Sequence, residues 1–322
     1  MIRPDEADFQ FAPDSPYNWC ETNFFPFCIP EARINGNFYV FTRPVLGATM
    51  CDVLVQDRIA PAWEDQLYVD NQQHLPCPKS LLDYALPNGL SVKVIEPLRH
   101  TRLDYVGFDD TEMHLDYRAL MVPFDLNDPE MDPLAGPRIG QSWGKSFSGH
   151  YEITCRITGT VRLRGIDYQV DCIDTCDRSW GIREESGKGN AVWLHGSFGE
   201  ELTVHALFGG GDPANDPGLG QLISGYVLED GAVHGLVEGR GSAVRLGSLP
   251  ISSDVELVDR RGRHFRLSGA AVNACAWAPF PSLLYPQSLM RWSLEGKTGW
   301  GVHQEILSRA YMTRNRVAMR TA

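Results

Sequence analysis

Along most of the chain apolar and polar residues alternate one for one. In residues 150–165 (HYEITCRITGTVRLRG), Ile153, Cys155 and Ile157 alternate with Thr154, Arg156 and Thr158. After Gly159 the pattern resumes with Val161 and Leu163 against Arg162 and Arg164. Gly165 turns the chain, and Ile166, Tyr168, Val170 and Cys172 then alternate with Asp167, Gln169 and Asp171. A strand sends successive side chains to opposite faces, so this stretch is a hairpin with one buried and one wet face. The same reading applies to NFYVFTRPV, ATMCDVLVQD, LSVKVIEP and MHLDYRALMV in the first half. NAVWLHGSF and LTVHALFGG form a second hairpin turning at Gly199-Glu200, and VELVDRRGRHFRLSG a third turning at Arg261-Gly262. Helical periodicity is nearly absent; WEDQLYVDNQQHL is the best helical candidate. Short strands between regularly spaced turn signals predict an all-β fold, a sandwich or a barrel.

The chain has 322 residues, which suggests two domains. The polar, glycine-containing segment GIREESGKGN (residues 181–190) is the candidate linker. It divides the chain into residues 1–185 and 186–322. Acidic residues number 41 against 29 basic, a balance that disfavours nucleic acid and anionic membrane surfaces as partners. No apolar run is long enough to span a bilayer, and the acidic N-terminus lacks the pattern of a signal peptide. The expected location is therefore the cytoplasm, where the eight cysteines act as small apolar residues. No dinucleotide fingerprint follows a strand, and Gly209-Gly210-Gly211 leads into the proline-containing loop DPANDPGLG. G-x-S-x-G, H-E-x-x-H and C-x-x-C are absent. Cys172 and Cys176 have no second pair at zinc-finger spacing, although His150 and His195 are possible companions. The expectation is an activity without cofactor or metal.

One stretch breaks the alternation. Cys176–Gly181, CDRSWG, sets a carboxylate, a guanidinium, a hydroxyl and an indole in succession at a strand end. In one reading Asp177 pairs with an arginine and Trp180 plugs a barrel end. In the other Asp177 exchanges protons at a pocket wall, its pKa raised by an indole beside it. His195 shares a face with Trp193 and Ser197, and points at a ligand if that face lines a barrel. His205 on the neighbouring strand would then share its side. His150 and Tyr151 open a strand at the mouth of the first barrel, whereas His114 and Asp116 belong to a solvated face. Of the aromatic residues most serve packing, with Trp143, Trp277 and Trp292 near loops or strand ends.

The Asp177-Arg178-Ser179-Trp180-Gly181 run resembles the Asp-His-x-Trp-Gly motif that ends the first barrel in the carotenoid 1,2-hydratase (hydroxyneurosporene synthase) superfamily. AVWLHGSF around Trp193 resembles the Trp-containing strand that opens that family's second barrel. GYVLEDGAV with Asp230-Gly231 and GWGVHQE from Gly299 to Glu305 match its later segments. GNFYVFTRPV and HYEITCRITGTV, with His150 and Glu152, resemble its first barrel. The resemblance implies two tandem antiparallel lipocalin-like β-barrels enclosing an apolar ligand. It also implies lyase, hydratase or isomerase chemistry on a terpenoid, to which the indoles and Arg178 add aromatic molecules. The family's histidine is Arg178 here, which stays charged and cannot shuttle a proton; it is assigned to substrate oxygen. Asp177 with His195 or His150 is the expected proton-transfer pair. Arg178, Trp180, Trp193 and Tyr151 are the expected substrate-binding residues. The rival readings are a non-catalytic carrier of a hydrophobic metabolite, and a scaffold whose cavities are filled by side chains. A homo-oligomer is left open.

Overall fold

The computed structural model describes residues 1–136, 146–184, 190–279 and 281–316. Of these, 64% are strand and 7% helix, so the chain is all-β, as the alternation predicts. The strands divide into two antiparallel systems. The first comprises β1 (Trp19–Ile29), β2 (Ile34–Arg43), β3 (Ala48–Gln56), β5 (Tyr68–Pro76), β6 (Asp83–Ala85), β7 (Leu90–Glu96), β8 (His100–Val106) and β9 (Glu112–Ala119). It continues with β10 (Phe124–Asp125), β11 (Gly149–Leu163) and β12 (Ile166–Ile182). Its order is β5-β3-β2-β1-β12-β11-β9-β8-β7-β6, with β10 beside β11. The second comprises β13 (Ala191–Ser197), β14 (Leu202–Gly210), β15 (Gly220–Glu229), β16 (Ala232–Leu246), β17 (Leu249–Asp259), β18 (His264–Trp277), β19 (Leu283–Leu294) and β20 (Lys297–Ser308). A short α1 (Arg309–Arg314) follows.

The second system is a closed eight-strand barrel, sealed where β17 pairs with β18. The first departs from the expected closed barrel: it is a half-barrel. Its edges are β5 and β6, which do not pair with each other among the described residues. The reason is local. Pro76 and Pro78 lack the N–H groups an edge needs for pairing, and β6 is three residues long. The N-terminal segment packs there instead: Asp8 accepts hydrogen bonds from Ser80 Oγ (2.9 Å) and Leu81 N (2.7 Å).

The hairpin turns fall where the sequence places them. Arg164 and Gly165 both have positive φ (49° and 81°), the two-residue turn that suits the twist of β11 and β12. WEDQLYVDNQQHL is not helical: Trp63–Asp65 make one 3-10 turn and the rest is β5. Tertiary pairing overrides its weak propensity, because β5 joins β3 and buries Tyr68, whose hydroxyl meets Tyr105 at 2.6 Å. β4 (Ile59–Ala62) crosses over to pair in parallel with β18, tying the two systems together.

Three buried clusters follow. One fills the half-barrel around Phe27, Phe38, Val53, Tyr105 and Ile157. A second fills the closed barrel with Val192, Leu194, Phe208, Val255 and Trp292. A third takes Phe24, Leu54 and Phe124 from the first system and Trp193, Leu207, Tyr226, Trp277 and Tyr285 from the second. It is the seam between them. Alternation along β13 therefore sends Val192 and Leu194 into the barrel and Trp193 and His195 into the seam. This corrects the expectation that the Trp193-His195-Ser197 face lines the barrel. Trp277 lies in the seam and Trp292 inside the barrel; Trp143 lies outside the described residues, as do residues 185–189 of the linker.

Candidate functional site

The β11–β12 hairpin carries two functional faces. Its register sets Glu152 opposite Asp177 and Tyr151 opposite Arg178. His150, Glu152 and Asp177 meet on the seam side. His150 Nε2 lies 3.2 Å from Glu152 Oε1 and 4.0 Å from Asp177 Oδ2. The closed barrel supplies the opposite wall. Trp193 Nε1 donates to Glu152 Oε1 at 3.2 Å, and His205 Nε2 stands 3.6 Å from the same oxygen. His205 stacks on Tyr226, with ring centroids 5.3 Å apart. Tyr226 OH in turn pairs with Thr154 Oγ1 at 2.7 Å.

The electrostatics of this group are unusual. Glu152 is wholly buried, and burial pushes its carboxyl well above the usual range, Trp193's hydrogen bond only partly opposing it. Asp177 is pushed up to about 7, by burial and then by the Glu152 charge, against the pull of His150 and two arginines. Its side chain keeps 21% exposure and is the most accessible carboxyl of the cluster. His205 is pushed well below its ordinary value by burial and stays neutral. Glu152 Oε2, Asp177 Oδ1 and both ring nitrogens of His205 have no hydrogen-bond partner among the described residues. Among the described residues no guanidinium forms an ion pair with Glu152 or Asp177. Two carboxyls thus share one buried space with two imidazoles, and among the described residues no fixed cation pairs with either carboxyl. His150, Glu152 and Asp177 also bring one donor atom each within 4.8 Å of one another, a nitrogen–oxygen set that suits a divalent cation such as zinc.

Of the expected site residues, the structure brings together Asp177 and His150. His195 is not with them: its Nδ1 pairs with Thr175 Oγ1 at 2.8 Å, and its Nε2 lies 3.9 Å from Asp174. Burial lowers His195 to about 3, so it is neutral at ordinary pH. Nor does Asp177 owe its raised pKa to Trp180. Neighbours on a strand face opposite ways, and Trp180 packs in the half-barrel core, edge-on to Tyr151 at 6.3 Å and flat against Gly149. A Cβ at Gly149 would come within 2.0 Å of that indole, so the glycine is what admits it. Arg178 also turns away from Asp177. Its Nη2 pairs with Glu21 at 2.6 Å, both side chains buried, and its Nε reaches the Glu6 carbonyl at 3.1 Å. Arg183 instead donates to Ser179 Oγ at 2.7 Å and lies over the Phe147 ring at 3.8 Å. Trp193 enters the site as a hydrogen-bond donor to Glu152. His114, exposed and paired with Asp104, lies on the solvated face, as expected.

Tyr151 and Arg178 line something else, a cavity of about 70 Å³ inside the half-barrel. Phe25, Val92, Ile153 and Tyr117 complete much of its wall, to which Asp177 also contributes. Sequence reasoning missed Glu152 and His205 as site members. Each is a titratable residue at a strand position flanked by apolar neighbours, Tyr151 and Ile153 or Val204 and Ala206, and that was the available signal.

Comparison with known proteins places this geometry in a family. A profile described as a domain of unknown function (DUF7064) matches residues 4–309. The chain belongs to that family. No curated protein matches its sequence. Among solved structures, kievitone hydratase from Nectria haematococca shares the fold, with a TM-score of 0.53 and 12% identity over 93% of this chain and 91% of that one. An AttH candidate from Nitrosomonas europaea aligns with a TM-score of 0.47 and 12% identity over 89% of this chain and 91% of that one. The nearly all-β fold of the chain is thus one it shares with kievitone hydratase. No helix among the described residues is long and apolar enough to cross a membrane.

Proposed function

We infer that this protein is a hydratase or a related lyase or isomerase acting on an apolar molecule by acid–base chemistry at His150, Glu152 and Asp177. The observation that carries the reading is the buried carboxyl pair around His150 Nε2, with no guanidinium paired to either carboxyl among the described residues. Asp177, with its pKa near 7, is about half protonated at neutral pH and serves as the acid. It delivers its proton to one alkene carbon. His150 takes a proton from water, whose oxygen bonds to the other carbon. The imidazolium then returns its proton to the Asp177 carboxylate, so one water is added and the site is restored. Glu152, held by Trp193, orients His150 and shares the proton. His205 keeps the second wall polar but uncharged.

The solved protein of the same fold is a hydratase by its name, which supports water addition over the other reactions. Aromatic side chains border the Asp177 side: the phenols of Tyr39 and Tyr285 are raised by burial, with the Asp177 charge contributing. They favour a conjugated or aromatic substrate with terpenoid or phenolic character. We place the division of the chain at residues 185/186, between β12 and β13, and the working location in the cytoplasm, consistent with eight cysteines free of disulfides.

The test is incubation with a panel of apolar terpenoid and phenolic alkenes in isotopically labelled water, followed by mass spectrometry. A product heavier by one labelled water, lost in Glu152→Gln, supports the reading. Labelled product formed equally by Glu152→Gln and Asp177→Asn sinks the assignment of the site. A folded protein that retains an unaltered apolar molecule points to the carrier instead.

A further inference from the structure

The half-barrel cavity is lined by Tyr151 and Arg178 from the face of β11–β12 opposite His150 and Glu152, with Asp177 at its edge, and two polar atoms at it have no hydrogen-bond partner among the described residues. Arg178 is 2% exposed and Tyr117 is 2% exposed. Both line the cavity, and neither Arg178 Nη1 nor the Tyr117 hydroxyl has a hydrogen-bond partner. A buried donor left unpaired loses its hydration with nothing in return, and here two stand at one largely apolar space. Much of the remaining wall is apolar, with Phe25, Leu81, Val92 and Ile153 buried and Val94 and Leu98 less so, while Asn23, His100, Thr101 and Asp177 are among its polar members. Leu98 adopts φ 62°, a conformation costly for a side chain of its kind, and packs its apolar side chain against the half-barrel core from the β7–β8 turn.

We propose that this cavity is a second binding site, distinct from the His150–Glu152 face although it shares Asp177 as a wall, for a small apolar molecule that enters oxygen first and presents an uncharged carbonyl or hydroxyl to Arg178 Nη1 and the Tyr117 hydroxyl. Charge decides the class. Arg178 is already neutralised by Glu21, at 2.6 Å with both side chains buried, so a carboxylate would add an unbalanced buried charge. Volume decides the size. A dry cavity of about 150 Å³ holds a benzene molecule, so the 70 Å³ here admits the oxygen-bearing end of a ligand. Its apolar remainder passes Val94 and Leu98 toward the mouth, where Arg99 is exposed.

The site is tested with 2-octanone, 1-octanol and octanoate as probes, by ligand-observed NMR and calorimetry on the whole chain. The ketone and the alcohol bind saturably, and octanoate at least tenfold more weakly. Tyr117→Phe lowers ketone affinity by about threefold to tenfold, the worth of one hydrogen bond. Val92→Phe fills the cavity and abolishes binding; should it fail to fold, Val94→Phe, at a less buried position, replaces it. Glu152→Gln leaves ketone binding unchanged. Octanoate binding as tightly as the ketone, equal ketone affinity in Tyr117→Phe, or no saturable binding to folded protein would each overturn the proposal. Binding that is lost in Glu152→Gln and kept in Tyr117→Phe would place the ligand at the cluster, a result that leaves the proposed chemistry standing while this site falls.

Discussion

The chain contains two buried His-x-Glu pairs on strands, and they have opposite characters. His303 and Glu305 lie on β20 in the closed barrel. His303 Nδ1 pairs with Ser253 Oγ at 2.7 Å, its Nε2 with Glu305 Oε1 at 3.2 Å, and Arg245 Nε donates to Glu305 at 2.8 Å. Burial would raise the Glu305 carboxyl, but His303 and Arg245 outweigh it and hold the pKa below its ordinary value. His150 and Glu152 lie on β11 with the same spacing and similar burial, and the second carboxyl nearby is Asp177 rather than a guanidinium. There the Glu152 carboxyl is raised. The residue pair is the same; the neighbour decides whether it is a fixed ion pair or a store of exchangeable protons. The cavity around Leu194 and Trp292 in the barrel interior is about 10 Å³, against about 70 Å³ in the half-barrel. The proposed acid–base cluster lies against the barrel's outer wall.

The largest expected difference between the two pairs is in turnover. Glu152→Gln lowers it by about 10²–10⁴-fold while melting temperature stays level or rises, because the amide is nearly isosteric with a carboxyl whose ionisation burial already opposes. Glu305→Gln does the reverse. It strands Arg245, costs about 3–5 kcal/mol and lowers the melting temperature on the order of 10 °C, with turnover per folded molecule nearly unchanged. If both variants lose stability equally, the contrast between the pairs is wrong.

A smaller effect appears in pH dependence, and its sign differs between the pairs. Asp177 titrates near 3.8 when unfolded and near 7 when folded, so the unfolded chain releases its proton first as pH rises. Stability is lost across that window and is fully present below it. Asp177→Asn therefore gains on the wild type as pH rises from about 4 to about 7. Glu305 is lowered below 4.5, so its contribution is present at neutral pH and is lost as pH falls through its folded value. Denaturant melts of both variants across this range check the two slopes. The smallest expected effect is that of chelation. With protons balancing the carboxyls, turnover survives dialysis against a chelator. Activity lost there and restored by zinc would reassign His150, Glu152 and Asp177 as metal ligands.

Much of the fold was legible because a strand writes its faces into a period of two. The 150–172 alternation gave the β11–β12 hairpin and its turn, and the Asp230-Gly231 turn appears as both residues with positive φ (50° and 79°). The opposition of Asp177 and Arg178 was contained in the same rule, since adjacent strand residues face apart. Half-barrel and closed barrel were not distinguishable, because closure depends on whether β13 meets β20, strands about a hundred residues apart, and whether β5 meets β6, an edge interrupted by proline. Period two also cannot say which face of β13 is inside, since Val192-Leu194 and Trp193-His195 are both buried, one set in the barrel and one in the seam. The residues of the site share no stretch of sequence. Glu152 meets Trp193 and His205 only because the barrel packs against the hairpin. That packing removes the water that would otherwise hold the Glu152 and Asp177 carboxyls at ordinary pKa values, and so only the tertiary structure sets the electrostatics of the cluster.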